Sequence, residues 1–453
     1  MKKFKKVLTL FLVLTVTLCT TYGFASNAAT TSKKENVTIK FAFWGSPFEK
    51  KVVEKSLKEF SKKYSWITVT PMFIPSDYTA KMTTMIAGNV APDMGYISDS
   101  TILQWGAEGK FINLNDFFAK DKTIKKSDIL NSALYNVSAK NLVAVSTATE
   151  GFALMYNKDL FKKAGVELPP TVVGKAWSWD KFVNACRKLT IDKNGKNALD
   201  PKFDAKNIKQ YGFQFDNYLG CYMSAVVSNG ADWLTKDGKN FGLTDPKAIE
   251  AIQKYADLIN KYHVAPSPVQ MKSIPDTSIA LATGKIAMTL GGNWSLLDLQ
   301  QQKINLGIGV LPKLAGSKTL ILSGATAIFK TTAHPDEAWL LYKYLLNPQS
   351  SLELHSSGLW MPVLKSWYTN PSLLAKWAVG NKAHPAGYVD AMVNQVLKNS
   401  VQCPAYTVKN FGKMRAIVDP ALDKVWLGEQ SAKDAMGSIV KQVKPLIEGF
   451  YGK

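Results

Sequence analysis

A strand, a helix and a second strand follow one another near the start of this chain, and their order restricts the fold more than any other feature. Residues 37–44, VTIKFAFW, alternate in polarity and are rich in β-forming residues, so they predict a strand. Residues 50–64 carry apolar side chains at helical spacing, and residues 66–73 form a second β-rich run. Two strands joined by such a helix lie parallel in one sheet, which predicts an α/β fold.

Ligands of parallel sheets bind beyond the carboxyl ends of the strands, and this rule selects the first candidate site residues. Trp44, Gly45 and Ser46 come at the end of the first predicted strand. Another short strand is predicted over residues 94–97, and Asp99 follows it. We therefore expect these four residues to lie at one edge of the sheet.

A pair of glycines marks a second candidate region. Residues 286–290 predict a short buried strand, and Gly291 and Gly292 would let the backbone turn sharply after it. Asn293 and Trp294 would then open a helix, where free N–H groups point outward. An indole face beside such donors suits a sugar, which offers C–H faces for stacking and hydroxyls for hydrogen bonds. The alternative is that Trp294 belongs to the core beneath the start of the helix.

A break within an apolar segment marks a connection between two parts of the molecule. Residues 142–156 are apolar except at residues 147–151, which predicts a strand that crosses from one lobe to another, with Glu150 at the break. Residues 211–215 predict a further strand, and Tyr218 follows its end.

The start of the chain predicts export. Residues 1–28 begin with lysines and continue with an apolar run too short to cross a bilayer, which is typical of a secretory signal. Small residues allow cleavage after Ala25 or Ala28, whereas Cys19 would be the lipidated residue if the signal ended before it. Residues 29–36 form a polar tether. Either route predicts an extracellular protein at the cell surface, secreted or lipid-anchored.

Composition argues against several other classes of protein. The formal net charge is +21, but the basic residues are spread along the chain without a dense run interleaved with aromatics, so no nucleic-acid partner is expected. Cys186, Cys221 and Cys403 show no C-x-x-C spacing, which leaves isolated buried thiols or one disulfide. The histidines are scattered, so neither a metal site nor a cofactor is expected, and motifs of hydrolases and phosphate-binding loops are absent.

Several segments agree, in sequence and in order, with one protein family. They are residues 87–97, AGNVAPDMGYI; 150–165, EGFALMYNKDLFKKAG; 177–182, WSWDKF; 280–294, ALATGKIAMTLGGNW; 311–314, LPKL; 323–346, SGATAIFKTTAHPDEAWLLYKYLL; and 420–436, PALDKVWLGEQSAKDAM. The chain resembles the extracellular solute-binding proteins of bacterial ABC importers, in the carbohydrate group that includes maltose-binding protein.

The resemblance implies a two-lobed, periplasmic-binding-protein-like α/β fold with discontinuous lobes joined by hinge strands. We expect residues 36–147 plus 316–350 in the N-terminal lobe, and residues 148–315 plus 351–453 in the C-terminal lobe. It further implies a non-enzymatic monomer that holds a sugar between the lobes and delivers it to a membrane permease.

The resemblance also assigns roles to particular residues. Glu150, six residues before Tyr156, would bond sugar hydroxyls, while Trp294 and Tyr218 would stack on sugar rings. Phe411 and Trp360 match aromatic positions near the cleft. With the strand-end residues, the candidate ligand site comprises Trp44, Gly45, Ser46, Asp99, Glu150, Tyr218, Asn293, Trp294, Trp360 and Phe411.

Two departures from the family pattern leave the ligand open. Residues 171–176 lengthen one link, and residues 192–209 form a lysine- and asparagine-rich insertion, so both can reshape a rim of the cleft. The same fold could instead bind a peptide, a polyamine or glycerol phosphate. A secreted glycosidase with Asp99 and Glu150 as paired carboxylates is the enzymatic alternative.

Overall fold

The structure is a computed structural model that describes residues 34–99, 101–322 and 324–452. The predicted signal peptide, Cys19 and the tether up to residue 33 lie outside the described residues. None of the helices in the described ranges has the length and apolar character that crossing a bilayer requires.

Strands and helices alternate along most of the chain. The strands are β1 (Val37–Phe43), β2 (Ile67–Phe73), β3 (Met94–Ile97), β4 (Leu134–Ser138), β5 (Asn141–Ser146), β6 (Phe152–Asn157), β7 (Ile191–Asp192), β8 (Ile208–Gln210), β9 (Gln214–Phe215), β10 (Met288–Gly292), β11 (Leu306–Gly309), β12 (Thr319–Ile321), β13 (Ala325–Ile328) and β14 (Ser400–Gln402). The helices are α1 (Pro47–Lys63), α2 (Tyr78–Ala87), α3 (Ile102–Ala107), α4 (Leu114–Lys120), α5 (Lys158–Ala164), α6 (Trp179–Leu189), α7 (Leu219–Ser228), α8 (Pro246–Asn260), α9 (Pro268–Met271), α10 (Thr277–Ala282), α11 (Leu296–Leu299), α12 (Pro335–Leu346), α13 (Leu352–Ser356), α14 (Ser366–Thr369), α15 (Pro371–Trp377), α16 (Gln395–Asn399), α17 (Phe411–Trp426), α18 (Ala432–Ser438) and α19 (Val440–Val443).

Two larger sheets organise these elements. One has six strands in the order β2-β1-β3-β13-β5-β4, and the other has four in the order β11-β6-β10-β9. In the first sheet, Phe41 of β1 pairs in parallel with Pro71 of β2 and Met94 of β3. The parallel arrangement expected from the strand, helix and strand at the start of the chain is therefore confirmed.

Capping side chains fix the starts of two helices. The Ser178 hydroxyl accepts a hydrogen bond from the Lys181 N–H at 3.2 Å, where α6 begins. Asp245 accepts one from the Lys247 N–H at 2.8 Å, and Pro246 occupies the first turn of α8. Such side chains satisfy N–H groups that lack a partner within the helix.

Two segments connect the large sheets, and they pair with each other. Glu150 lies between β5 and β6, and Leu322 lies shortly before β13. The N–H of each donates to the carbonyl of the other at 2.9 Å, while Thr147 and Thr326 share a hydroxyl hydrogen bond. The fold is thus a two-lobed α/β structure, with one lobe around each large sheet. The exact lobe boundaries stay a prediction. α13 follows residue 350, where the predicted C-terminal lobe resumes, yet it packs against α1 of the predicted N-terminal lobe.

The glycine pair does not form the expected turn. Gly291 and Gly292 continue β10, where they pair with Ala153 and Phe152 of β6. The helical turn starts only after Gly292, because the two glycines extend the strand by two more backbone pairs with β6. Gly292 has a different role: a Cβ there would lie 2.1 Å from the Trp294 ring, so the glycine makes room for the indole.

A buried hydroxyl joins α12 to the six-stranded sheet. Tyr342 accepts a hydrogen bond from the Val145 N–H of β5 and donates one to the Thr326 carbonyl of β13, both at 2.7 Å. We expect Tyr342→Phe to lower the free energy of unfolding by about 1–2 kcal/mol, because it leaves the buried Val145 N–H without an acceptor. Urea unfolding measures the change. Tyr262→Phe is the control, because no described residue bonds its hydroxyl, and an equal loss in both variants would contradict the expectation.

The three described cysteines are buried and unpaired. Burial raises the pKa of the Cys186, Cys221 and Cys403 thiols above the ordinary value. We therefore expect no reaction with a thiol reagent in the native protein at pH 8, and labelling of all three after denaturation. Mass spectrometry of the corresponding peptides reads out the result. Labelling before unfolding, or a pair that stays protected until it is reduced, would contradict this expectation.

Candidate functional site

A cavity of about 370 Å³ lies where the two lobes meet. This volume falls within the usual range of small-molecule sites. The residues that line it are Trp44, Glu49, Tyr96, Ser98, Asp99, Thr147, Ala148, Glu150, Tyr218, Trp294, Leu322, Gly324, Leu359 and Trp360.

Strand ends deliver most of the aromatic and acidic side chains to this cavity. Trp44 follows β1, Asp99 follows β3, Tyr218 follows β9 and Trp294 follows β10. Glu150 enters from the segment that connects the two large sheets. Both lobes therefore contribute to one wall, as expected for a ligand site at the carboxyl ends of strands.

The aromatic rings that line the cavity contact one another edge to face. The Tyr218 and Trp294 rings are perpendicular, with centroids 6.1 Å apart. On the opposite lobe, the Trp44 ring meets the Tyr96 ring at 71°, with centroids 5.1 Å apart. The Trp360 ring lies 6.3 Å from the Tyr96 ring. Edge contacts of this kind leave ring faces available for stacking.

Glu49 is an acidic cavity residue that sequence reasoning missed. Its N–H donates to the Ser46 hydroxyl at 3.2 Å, and its carboxylate accepts from the Ser46 N–H at 3.1 Å, which forms a capping box at the start of α1. The nearby Trp360 side chain favours the ionised form of this carboxyl and lowers its pKa. A Cβ on Gly45 would lie 2.5 Å from the Glu49 carboxylate oxygen, so that position must be small.

Burial raises the pKa of all three carboxyls that line the cavity. It raises the pKa of Glu49 to about 7 despite the hydrogen bond from Ser46. It also raises the pKa of Asp99 to about 7, although the nearby Tyr406 side chain acts in the opposite direction. The pKa of Glu150 rises to about 8, through burial first and then through repulsion from Asp99 and Glu49.

The structure brings together six of the candidate residues on the cavity wall. They are Trp44, Asp99, Glu150, Tyr218, Trp294 and Trp360. Gly45 and Ser46 lie behind the wall and position Glu49 instead of lining the cavity. Contact of any of these residues with a ligand stays a prediction.

Asn293 and Phe411 lie elsewhere. Asn293 is fully buried, where its amide donates to the Gly358 carbonyl at 2.7 Å and accepts from the Tyr388 hydroxyl at 2.7 Å. Its polar atoms are used within the protein because the extended β10 turns the side chain inward. Phe411 lines a neighbouring cavity that also includes Asp99, and its ring packs 4.7 Å from Trp233.

One sequence signal could have found Glu49, whereas none distinguishes Tyr96. Ser46 and Glu49 have the S-x-x-E spacing of a capping box, immediately after a predicted strand end. Tyr96 lies inside β3, where strand periodicity alone does not say which face meets a ligand.

Among the described residues, no group of three acidic, cysteine or histidine side chains is arranged to hold a metal ion.

Comparison with known proteins assigns the family. A family model described as bacterial extracellular solute-binding protein matches residues 44–351, which is more than half of the chain. The chain is a bacterial extracellular solute-binding protein. Such proteins act outside the cytoplasm, and the resemblance inferred from the sequence is thereby confirmed.

Solved structures and a curated relative agree with this assignment. An ABC substrate-binding protein of Listeria monocytogenes in complex with cycloalternan is 22% identical with a TM-score of 0.76, over 91% of this solute-binding protein and 99% of that chain. The sugar-binding protein MalE of Xanthomonas citri is 18% identical with a TM-score of 0.73, over 91% and 97%. The sn-glycerol-3-phosphate-binding periplasmic protein of Escherichia coli is 24% identical over 317 residues, 66% of this chain and 65% of the relative.

Proposed function

We propose that this solute-binding protein captures a saccharide in the cavity between its lobes and delivers it to the permease of an ABC importer. The observation that supports this most is the shared wall of Trp44, Tyr218 and Trp294 with carboxyls beside them. Aromatic faces stack on the C–H faces of sugar rings, and carboxyls bond their hydroxyls. The sugar-binding MalE and the cycloalternan complex have the same fold, which is consistent with such a ligand.

Closure of the lobes would couple binding to transport. A ligand that touches both lobes stabilises the closed arrangement, and the permease would distinguish that arrangement from the open one. We propose that the protein acts as a monomer, without a cofactor and without chemical change of the ligand. It would reach the cell surface either by cleavage after Ala25 or Ala28 or by lipidation of Cys19, which mass spectrometry of the mature N-terminus distinguishes.

The alternatives differ in what the cavity must supply. Glycerol phosphate needs cations, yet no lysine, arginine or histidine is among the described residues that line this cavity. A glycosidase would need Asp99 and Glu150 near one another, and both do line the same cavity. A turnover assay therefore has to accompany every binding assay.

A thermal-shift screen against mono- and oligosaccharides, peptides, spermidine and glycerol phosphate tests the proposal. We expect a saccharide to bind with micromolar affinity, about −8 kcal/mol, and to stabilise the protein by about 3 kcal/mol at a hundredfold excess over Kd. Chromatography of the same mixtures should show the saccharide unchanged. Stabilisation by glycerol phosphate or a peptide alone, or conversion of the saccharide, would overturn the proposal.

A further inference from the structure

The cavity is acidic, although the chain as a whole is strongly basic. Glu49 from α1, Asp99 from the end of β3 and Glu150 from the connecting segment all reach it, whereas the formal net charge of the chain is +21. These carboxyls come from three separate elements, so they converge only in the folded protein. Glu150 is close enough to the other two for their charges to raise its pKa.

Protein cations do not compensate for this charge. The described lining residues include no lysine, arginine or histidine. Arg415 acts on Asp99 through space, but its guanidinium is paired with Asp419 at 2.7 Å. A cation that would favour the ionised form of these carboxyls would therefore come from a ligand.

Of the three carboxyls in the cavity, Glu150 has the fewest favourable polar contacts with the protein. Glu49 accepts a hydrogen bond from the Ser46 N–H, and the nearby Trp360 and Tyr406 side chains lower the pKa of Glu49 and of Asp99, respectively. No described residue donates to the Glu150 side chain, which lies deep in the protein and is partly open to the cavity. A buried carboxyl without a donor is costly, so this group is available to a ligand donor.

The charge and the aromatic walls together specify a ligand chemistry. A neutral sugar would satisfy the ring faces and would leave Glu150 protonated near neutral pH. An ammonium group would favour the ionised carboxylates and pair with them, and aromatic faces also attract cations. We propose that the natural ligand is a saccharide that carries an ammonium group, held by Glu150 with Glu49 and Asp99 around it. This inference rests on the proposed function, because it specifies the class of saccharide bound in the same cavity.

A matched series of β-1,4-linked disaccharides tests the inference. Cellobiose, its di-N-acetylamino analogue and its free diamino analogue differ only in carrying a hydroxyl, an acetamide or an ammonium group at the second carbon of each ring. Glucose, N-acetylglucosamine and glucosamine extend the comparison to single rings. By calorimetry at pH 7, we expect an ammonium form to bind at least tenfold more tightly than its matched neutral forms, and Glu150→Gln to reduce that ratio at least tenfold.

Controls separate this inference from the proposed function. Glu167→Gln removes an exposed carboxylate that pairs with Lys181, and it should leave the ratio unchanged. If a neutral saccharide from the wider screen binds as tightly as any amino form, or binds when no amino form does, this inference is overturned and the proposed function stands. If spermidine binds and no saccharide does, both are overturned. An unchanged ratio in Glu150→Gln would also overturn the assignment of the ammonium to Glu150.

Discussion

Trp294→Ala is expected to weaken saccharide binding at least tenfold, which corresponds to about 1.4 kcal/mol, while the unfolding midpoint stays nearly unchanged. The indole lines the cavity and is only half-buried. It meets the Phe152 ring at 86° with centroids 5.4 Å apart, so one edge is anchored in the protein while the rest of the ring borders the cavity. Titration calorimetry with the saccharide identified by the screen measures the loss.

A second indole provides the matched control for this substitution. Trp66 is also half-buried but does not line the cavity, so Trp66→Ala removes the same side chain without changing affinity. Trp294→Phe should keep part of the affinity because it retains an aromatic face. If Trp294→Ala instead lowered the unfolding midpoint strongly and left affinity intact, Trp294 would be a core residue, as the alternative interpretation of the sequence holds.

Glu150→Gln is expected to stabilise the ligand-free protein at pH 8 by about 2–3 kcal/mol. This figure lies below the full value of the pKa shift because Glu150 borders the cavity and is not fully enclosed by protein. In the unfolded chain Glu150 ionises near its ordinary pKa of 4.5, whereas the folded protein holds the proton until about pH 8. Between these values the folded state binds more protons than the unfolded state, so the free energy of unfolding falls as pH rises. Glutamine cannot ionise, and the variant avoids this loss.

The difference between variant and wild type should therefore depend on pH. It should be small at pH 4.5, grow through the range from 4.5 to 8, and stay constant above it; urea unfolding at each pH measures it. Glu49 and Asp99 add slopes of the same sign to both proteins, because burial raises their pKa too. The exposed Glu167→Gln serves as control and should give a flat difference. A variant that is less stable than wild type at pH 8 would show that the ionised Glu150 is stabilised by the protein.

The sequence was most informative where local chemistry and periodicity agree. The strands at 37–44 and 94–97 and the break at 147–151 were predicted closely, because β-rich runs and polar interruptions have few alternative interpretations. Placing Trp44 and Asp99 at strand ends followed from the rule for parallel sheets. Trp294 reached the same cavity even though the turn expected before it did not form.

The remaining differences depend on contacts between distant segments. Gly291 and Gly292 fit either a turn or a strand, and pairing with β6 selects the strand, which turns Asn293 inward. Glu49 looks like an ordinary capping residue until the Trp360 loop, more than 300 residues later in the chain, is packed beside it. Phe411 opens α17, but its packing on Trp233 directs it to a neighbouring cavity.

The mutual backbone pairing of Glu150 and Leu322 affects how this protein could be engineered. Glu150, which is proposed to bind the ligand, belongs to the backbone pairing that links the lobes. A substitution at residue 150 that removes the backbone N–H, such as proline, would therefore disturb the link between the lobes as well as the ligand site. Tyr218 lies on one lobe only and is 37% exposed, so it offers a safer starting point for a retargeted biosensor, with a dye near residue 322 reporting occupancy.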